Sequence, residues 1–469
     1  MVTANNRILL IQSPPWGIYA PPLGIAYLAT FLRSFNFTAK IYDLNMELFN
    51  GAAREIKEKW YAQDFEFWAS GKAVDKFKEE LRVLADKIIS FDAAFIGFST
   101  TRASAPFVNA ILAIIRSRLK DKTVIIIGGP GTHYPETRVL FKEDLIDYFI
   151  IGEGEYSLLY LLSTLKENKT IQPSSGYAIW KDRPQDRALC LQAATNNFVD
   201  VNSIPFPTFE EFDLSVYPET DLLPLISSRG CVRSCVFCCD APLKKPFRCR
   251  SAESVVKEMA YHLRNYGRKR FEFCDLLING DLNFLDKLCD SLIKMGLDIS
   301  WGGQAAVRKD MDLELFRKMK KAGCGGLTFG CESFSNHVLR LMHKGITVND
   351  AKETFIKAKE SGMLVEINLI VGFPGEEEQD VDETIKFIRE NAKRIDKINS
   401  LNICTIDCGM YIYDHLEEYG IDKKMFTDWY AWCNKDLSST LEKRVERHRK
   451  LMLVFGELNL KPLWHNVKL

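Results

Sequence analysis

Leu222 to Cys238 read LLPLISSRGCVRSCVFC. The apolar run passes through Ser227-Ser228-Arg229-Gly230 and then sets Cys231, Cys235 and Cys238 in a C-x3-C-x2-C spacing. An apolar segment ended by a glycine-containing turn predicts a buried strand feeding a loop. Cysteine sulfur is the preferred ligand of iron–sulfur clusters and of zinc, so three thiolates on one loop predict a metal centre. Zinc would want a fourth ligand, and structural zinc sites usually assemble from two separated C-x2-C pairs. Three ligands on a four-iron cluster leave one iron open to a substrate or cofactor. Phe237, just before the last cysteine, adds an aromatic face against which an adenine can pack.

This loop resembles the signature of the radical S-adenosylmethionine enzymes, in which an aromatic precedes the last cysteine and the loop follows the first strand of a βα barrel. The resemblance implies that Cys231, Cys235 and Cys238 hold a 4Fe–4S cluster. It also implies that the open iron binds the amino and carboxylate groups of S-adenosylmethionine and cleaves it reductively to a 5′-deoxyadenosyl radical. An electron donor of flavodoxin or ferredoxin type is then an expected partner.

Composition narrows the class. A chain of 469 residues with 46 % hydrophobic content is long enough for two or three domains, each with its own core. Lys+Arg and Asp+Glu are equal at 62 each, so no global field favours nucleic acid or an anionic membrane. No run reaches the length of a membrane span, and the N-terminal MVTANNRILLIQSPP lacks a secretory pattern. Thirteen cysteines, an odd number that includes the adjacent Cys238-Cys239, fit a reducing compartment and a metal site rather than a disulfide framework. The expected location is cytoplasmic.

The N-terminal region, 1–170, alternates short apolar strands with helices. Strands are expected at Arg7–Ile11, Lys40–Asp43, Phe91–Ser99, Thr123–Ile127 and Tyr148–Ile151, with glycine or serine clusters at their ends. That pattern predicts an open parallel α/β sheet of Rossmann type, whose ligands sit beyond the carboxyl ends of the strands. No G-x-G-x-x-G follows the first strand, and tight turns explain each glycine pair taken alone. As a set, Pro14-Pro15, Pro22-Leu23-Gly24, Ser99-Thr100-Thr101, Gly128-Gly129-Pro130 and Gly152-Glu153-Gly154-Glu155 resemble the cobalamin-binding domain of the class B radical S-adenosylmethionine methylases. The resemblance implies that these loops cradle the corrin and its nucleotide tail. The D-x-H-x-x-G motif that supplies a histidine to cobalt is missing, since no histidine follows Asp43-Leu44-Asn45. His133 is read as a hydrogen-bonding or corrin-contact residue rather than a cobalt ligand.

Residues 171–220 are proline-rich and poorly periodic, and read as a linker with its aromatics packed between domains. From 221 to 403, six strand–helix units predict a partial (β/α)6 TIM-like barrel with functional groups at the strands' carboxyl ends. Those ends carry Asp275, Gln304, Arg308, Glu332, Ser333 and the run Gly372-Phe373-Pro374-Gly375. Gly330-Cys331-Glu332-Ser333 with Lys344-Gly345 is similar to the G-x-E-S … K-G pattern of the family. By resemblance, Phe237, Asp275, Gln304, Arg308, Glu332, Ser333, Gly372, Phe373 and Pro374 are candidate contacts to S-adenosylmethionine. The family's Gly-Gly-Glu after the second strand is missing, with Phe273-Cys274-Asp275 in its place.

Residues 404–469 read as a small, mostly helical segment, whose Trp429, Tyr430, Trp432 and Trp464 either line the substrate cavity or pack a helical cap. Cys404, Cys408 and Cys433 read as plain cysteines, since no closely spaced fourth ligand accompanies them. Leu441, Val445, His448, Leu451, Met452 and Phe455 form a helical apolar stripe opposite Arg444, Arg447, Arg449 and Lys450, which predicts a docked helix with a solvated basic face. The whole chain resembles a cobalamin-dependent radical S-adenosylmethionine methyltransferase acting on an unactivated carbon or phosphorus of a small-molecule or peptide substrate. A class B enzyme of cyclisation, rearrangement or oxidation is the first alternative, and a non-enzymatic iron–sulfur or cobalamin sensor the second. Methylthiotransferases carry three further cluster cysteines in their N-terminal domain, and this chain has no cysteine before Cys190.

Overall fold

The computed structural model describes residues 6–60, 65–119, 123–171, 177–180, 189–193, 198–240, 246–424, 426 and 428–467. Two compact units divide at Thr220/Asp221. The start of the N-terminal stretch, 1–5, and the linker segments 172–176, 181–188 and 194–197 lie outside the described residues.

The first unit is built on seven strands: β1 (Arg7–Gln12), β2 (Thr38–Asp43), β3 (Phe95–Ser99), β4 (Val124–Gly128), β5 (Tyr148–Ile151), β6 (Tyr177–Trp180) and β7 (Leu189–Ala193). Their order is β2-β1-β3-β4-β5-β7-β6. All neighbours are parallel except β6, which runs antiparallel to β7. The near-continuous apolar strands fit a sheet covered on both faces, and Ile8 to Ile11 and Phe95 to Phe98 are buried. Helices α1 (Leu23–Ser34), α2 (Ala105–Arg116) and α3 (Gly154–Lys166) follow β1, β3 and β5. The charged stretch before β3 forms separate helices at Phe65–Ala69, Lys72–Lys76 and Glu80–Ser90.

Two corrections concern 171–220. The expected linker contributes β6 and β7, which extend the sheet, with Cys190 and Leu191 buried. Its aromatics pack within the first unit: Phe209, Phe212 and Tyr217 are buried, and the Tyr217 hydroxyl donates to Asp43. Burial of the Asp43 carboxyl pushes its pKa up to about 6, while the bonds from Tyr217 and the Met46 N–H oppose that rise.

The second unit holds β8 (Leu222–Leu225), a two-residue antiparallel pair β9 (Ser228–Arg229) and β10 (Arg248–Cys249), and then β11 (Arg270–Phe273), β12 (Ser300–Ala305), β13 (Cys324–Glu332), β14 (Leu364–Val371) and β15 (Lys397–Ile403). Six parallel strands run in the order β15-β14-β13-β12-β11-β8, an open partial barrel. Between them lie α4 (Ala252–Tyr266), α5 (Leu282–Met295), α6 (Leu313–Lys321), α7 (Asn336–Leu341), α8 (Val348–Glu360) and α9 (Glu378–Asn391). Their starts are written in side chains: Ser251, Asp281, Asp312, Ser335 and Thr347 each accept a backbone N–H of the first turn. Alternate residues on the strands form a second, polar row, in which Asn368 donates to Gln304 at 3.2 Å and Thr328 to Glu366 at 3.1 Å.

The last helix, α10 (Leu441–Glu457), corrects the expected solvated basic face. Arg444 and Arg447 are buried beside His448, Leu451, Val454 and Phe455. Both have partners that offset the cost of burying charge. Arg444 donates to the carbonyls of Trp432 and Tyr430 at 2.8 and 2.7 Å and stacks 3.9 Å from the Trp432 ring centroid. Arg447 pairs with Glu376 and Glu378 at 3.4 and 2.8 Å.

His448 makes α10 acid-sensitive. Burial, reinforced by the facing His465, lowers its pKa from 6.5 to about 4. Across that window the unfolded chain binds more protons, so stability is present above pH 6.5 and is lost as pH falls towards 4. Thermal unfolding of His448→Leu at a series of pH values should show a shallower loss over the same window than the native chain.

Candidate active site

The three cysteines sit on a loop that the local sequence closes. Gly230 takes φ +95°, a left-handed conformation that turns the chain out of β9 into Cys231. The return at β10 pairs Arg248 with Arg229 and Cys249 with Ser228, bracketing the loop. Within it, Arg233 N–H donates to Cys231 Sγ at 3.3 Å, and Cys238 N–H to the Cys235 carbonyl at 3.2 Å. Val236 is buried among Val338, Met342, Phe373, Ile406 and Ile412, and its backbone is bonded to Met342 and Ile412. The motif's middle residue is therefore a packing anchor, leaving the thiols half-buried around it. Among the described residues no three or more His, Cys, Asp or Glu groups gather tightly enough for one metal ion. Three half-buried thiols on one loop are the donor set of a four-iron cluster with one open position, each thiolate capping a different iron.

Beside the loop lies a buried ion pair. Lys344 Nζ is 3.0 Å from Glu332 Oε1 and 5.4 Å from the Phe237 ring centroid. Glu332 ends β13 with φ +66°, unusual for a residue with a side chain. Gly330 explains the spacing of G-x-E-S … K-G, because a Cβ there would stand 2.8 Å from Glu332 Oε1 and 3.3 Å from Lys344 Nζ. Gly330→Ala is expected to displace the flexible ends of Glu332 and Lys344 at a cost of about 1 kcal/mol, the low end for overpacking. Gly325→Ala, whose Cβ would meet nothing nearer than 3.9 Å, is the matched control in thermal unfolding. Burial raises the Cys235 thiol pKa, with Lys344 opposing the rise and Glu332 adding to it.

Three expected ligand contacts turn out to be committed to the protein. Asp275 is 2 % exposed and accepts from Ser227 N–H, Ser227 Oγ and Ser228 Oγ. It anchors the entry to the cysteine loop through these bonds. Ser333 is buried and its hydroxyl accepts from Ser335 N–H at 3.1 Å. Arg308 donates to the carbonyls of Asn279 and Gly280, each at 3.0 Å, and pairs with Asp310 at 2.6 Å, tying two loops together. Gln304 does lie in the polar row of the barrel strands.

The Gly372–Gly375 loop is held from below. Gly372 has φ +81°, and a Cβ there would fall 2.3 Å from Arg444 Cγ. Its N–H donates to Glu376, whose burial drives the carboxyl up to about 8 against the pull of that N–H and of Arg447. Phe373 is fully buried and Pro374 buried, so this loop has backbone, not side chains, to offer a ligand. α10 did not stand out in sequence as part of this region, whereas the K-G half of the motif had pointed at Lys344. Cys404 and Cys408 are buried, and Cys404 sits in the apolar cluster with Trp432.

In the first unit, the order β2-β1-β3 makes a topological switch point, where sheets of this kind bind ligands. Ser13 N–H donates to the Ser99 carbonyl at 3.0 Å across it, next to the cis Pro14-Pro15 bond. Ser13 Oγ is buried with no partner among the described residues. A Cβ on Gly129 would meet the Thr100 backbone at 2.8 Å, and one on Gly131 Thr100 Oγ1 at 2.7 Å, so both glycines let adjacent strand ends touch. Leu23 and Gly24 open α1, where no side chain caps the helix and Gly24 faces open space. Thr101 is engaged with Ser104 in a capping box, and Pro130 opens a short 3-10 turn. His133 is half-buried against Tyr134. Gly152 takes φ +78°, and Gly154 starts α3 against Leu28. Glu153 accepts from Val199 N–H, and Glu155 is buried at that helix start.

Residues 225–388 match the model of the Radical SAM superfamily. An uncharacterised methyltransferase of Pyrococcus horikoshii is 27 % identical over 401 residues, 83 % of this chain and 78 % of that protein. The anaerobic magnesium-protoporphyrin IX monomethyl ester cyclase of Rubrivivax gelatinosus is 22 % identical over 374 residues, covering 79 % of this chain and 62 % of the cyclase. Among solved structures, the radical S-adenosylmethionine methyltransferase TsrM of Kitasatospora setae, with cobalamin and a 4Fe–4S cluster bound, superposes with a TM-score of 0.66 at 16 % identity, over 96 % of this chain and 85 % of TsrM. The cobalamin-dependent radical enzyme OxsB gives 0.63 at 18 % identity, over 97 % of this chain and 62 % of OxsB. The two-unit α/β architecture is thus shared across nearly the full length. Residues 225–388 therefore form a radical SAM domain, with the three-cysteine loop at its first barrel strand, and the chain as a whole shares the fold of TsrM and OxsB.

Proposed function

We propose that this chain is a cobalamin-dependent radical S-adenosylmethionine methyltransferase. The observation that carries the reading is the loop of Cys231, Cys235 and Cys238 closed by β9 and β10 beside the Glu332–Lys344 pair. When bound, the 4Fe–4S cluster would supply one-electron reduction of S-adenosylmethionine, and the cobalamin a transferable methyl group. Glu332 and Lys344 present a carboxylate and an ammonium 3.0 Å apart, complementary to the ammonium and carboxylate of an amino acid. Phe237 offers its ring, Gln304 an amide from the polar row, and Gly372 to Pro374 backbone polar groups. Asp275, Ser333 and Arg308 position this surface through the bonds described above. In the first unit, Ser13, the Ser99–Thr101 loop and the glycines at 128–131 form the cradle proposed for the corrin, with Gly24 leaving the start of α1 open.

Small-molecule and peptide substrates both fit this reading, and the methylated atom is a carbon or a phosphorus. Anaerobic reconstitution with iron, sulfide and hydroxocobalamin, followed by desalting and metal analysis, tests it. Stoichiometric cobalt beside about four irons is the expected outcome. Iron without cobalt would remove the methyl donor and favour the cyclisation or rearrangement reading, which the cyclase relative supports.

A further inference from the structure

A cavity of about 860 Å³ opens beside the cysteine loop, walled by Val232, Arg233, Arg308, Lys309, Arg340 and His343 together with Asp310 and Asp350. Its charge is lopsided: four arginines and lysines face two aspartates, on a chain whose net charge is zero. One aspartate, Asp310, pairs with Arg308, and the other, Asp350, closes the capping box of α8 with Thr347. Lys309 and Arg340 are exposed and have no ion-pair partner among the described residues. Arg233 spends its guanidinium on the neutral carbonyls of Val307 and Gly345 at 3.2 and 3.5 Å. The cavity wall therefore keeps a surplus of two positive charges, and it includes Val232, an apolar side chain left 47 % exposed within the cysteine motif itself.

The wall of this cavity is one hydrogen bond from a cluster ligand, since Arg233 N–H donates to Cys231 Sγ at 3.3 Å. Small, charge-steered contacts with a little apolar surface at the centre are the form that transient electron-transfer complexes take. We propose that this cavity is the landing site of an acidic one-electron carrier protein. The proposal rests on the reading above, which requires a reductant. One electron would pass from the reduced carrier to the cluster that Cys231, Cys235 and Cys238 would hold, with no atom or proton transferred. A small anion could pair with the same cations, but only a redox carrier gains from lying against the Cys231 loop.

The test uses the reconstituted holoenzyme and an acidic flavodoxin as the probe. Flavodoxin affinity is measured by fluorescence anisotropy at low and high salt, and 5′-deoxyadenosine formation is measured separately with dithionite as the reductant. Lys309→Glu/Arg340→Glu is expected to weaken flavodoxin binding by about tenfold or more and to flatten its salt dependence. Iron content and dithionite-driven turnover should stay at the native level. Lys309→Gln/Arg340→Gln should weaken binding by a smaller factor in the same direction. Native flavodoxin affinity in both variants would overturn the proposal, as would an equal loss of dithionite-driven turnover. Absence of dithionite-driven turnover in the native chain would instead count against the enzymatic reading, while the anisotropy result still decides the docking site.

Discussion

Cys235→Ala is expected to lose reductive cleavage of S-adenosylmethionine by at least about 1,000-fold, about 4 kcal/mol in the barrier. In the proposed function the loop supplies three ligands, Cys231, Cys235 and Cys238, and no spare. Cys239 is adjacent in sequence, but burial and the neighbouring Asp240 push its thiol up to about 12, which disfavours the thiolate a metal needs. Cys235 differs in having Lys344 nearby to favour the charged form. Its carbonyl also accepts the Cys238 N–H, so the backbone turn survives the substitution while the ligand is lost. Iron and sulfide content with 5′-deoxyadenosine detection separates the cases. Cys235→Ala should fail both, and Cys239→Ala should pass both. A Cys235→Ala chain that retains four irons and full turnover would remove Cys235 from the ligand set.

Glu258→Ala should produce the largest loss of stability, about 3–5 kcal/mol, because it leaves a buried guanidinium without its carboxylate. The Arg250 and Glu258 side chains are only 3 % and 0 % exposed. Arg250 also donates to the Ile226 carbonyl at 2.9 Å, and its N–H reaches the Ser227 carbonyl at 2.8 Å. The pair thus holds the chain between β8 and β9 from one side, while Asp275 holds Ser227 and Ser228 from the other. A lower unfolding midpoint should therefore be accompanied by poorer cluster retention. Replacing both members with apolar residues of similar volume, Arg250→Met with Glu258→Leu, should recover most of the midpoint. A native midpoint for Glu258→Ala would show that the buried guanidinium finds other compensation.

The barrel is the most legible part of this chain, for reasons visible in single residues. Helices at Leu282–Met295 and Leu313–Lys321 begin after aspartate caps, and the first ends at Gly296 in the left-handed conformation. The strand Leu364–Val371 alternates buried and less buried residues as its sequence alternates. Legibility fails where the deciding partner is distant. Arg444 and Arg447 look like a water-facing stripe until Trp432, Glu376 and Glu378 are brought to them by the fold. Asp275 and Ser333 stand at strand ends, where functional groups belong, yet their oxygens bind their own loops. The short strands β6 and β7 carry too few residues for periodicity to reveal them, and their pairing with the sheet edge is a long-range event. The Gly330, Glu332 and Lys344 pattern could be read as a motif, but its steric reason appears only in three dimensions.

The most direct measurement is a single anaerobic turnover of the reconstituted holoenzyme with S-adenosylmethionine and dithionite, analysed for 5′-deoxyadenosine. Formation of 5′-deoxyadenosine in the native chain, absent from Cys235→Ala, is the expected result. Intact S-adenosylmethionine beside a fully loaded cluster would contradict radical chemistry at Cys231, Cys235 and Cys238.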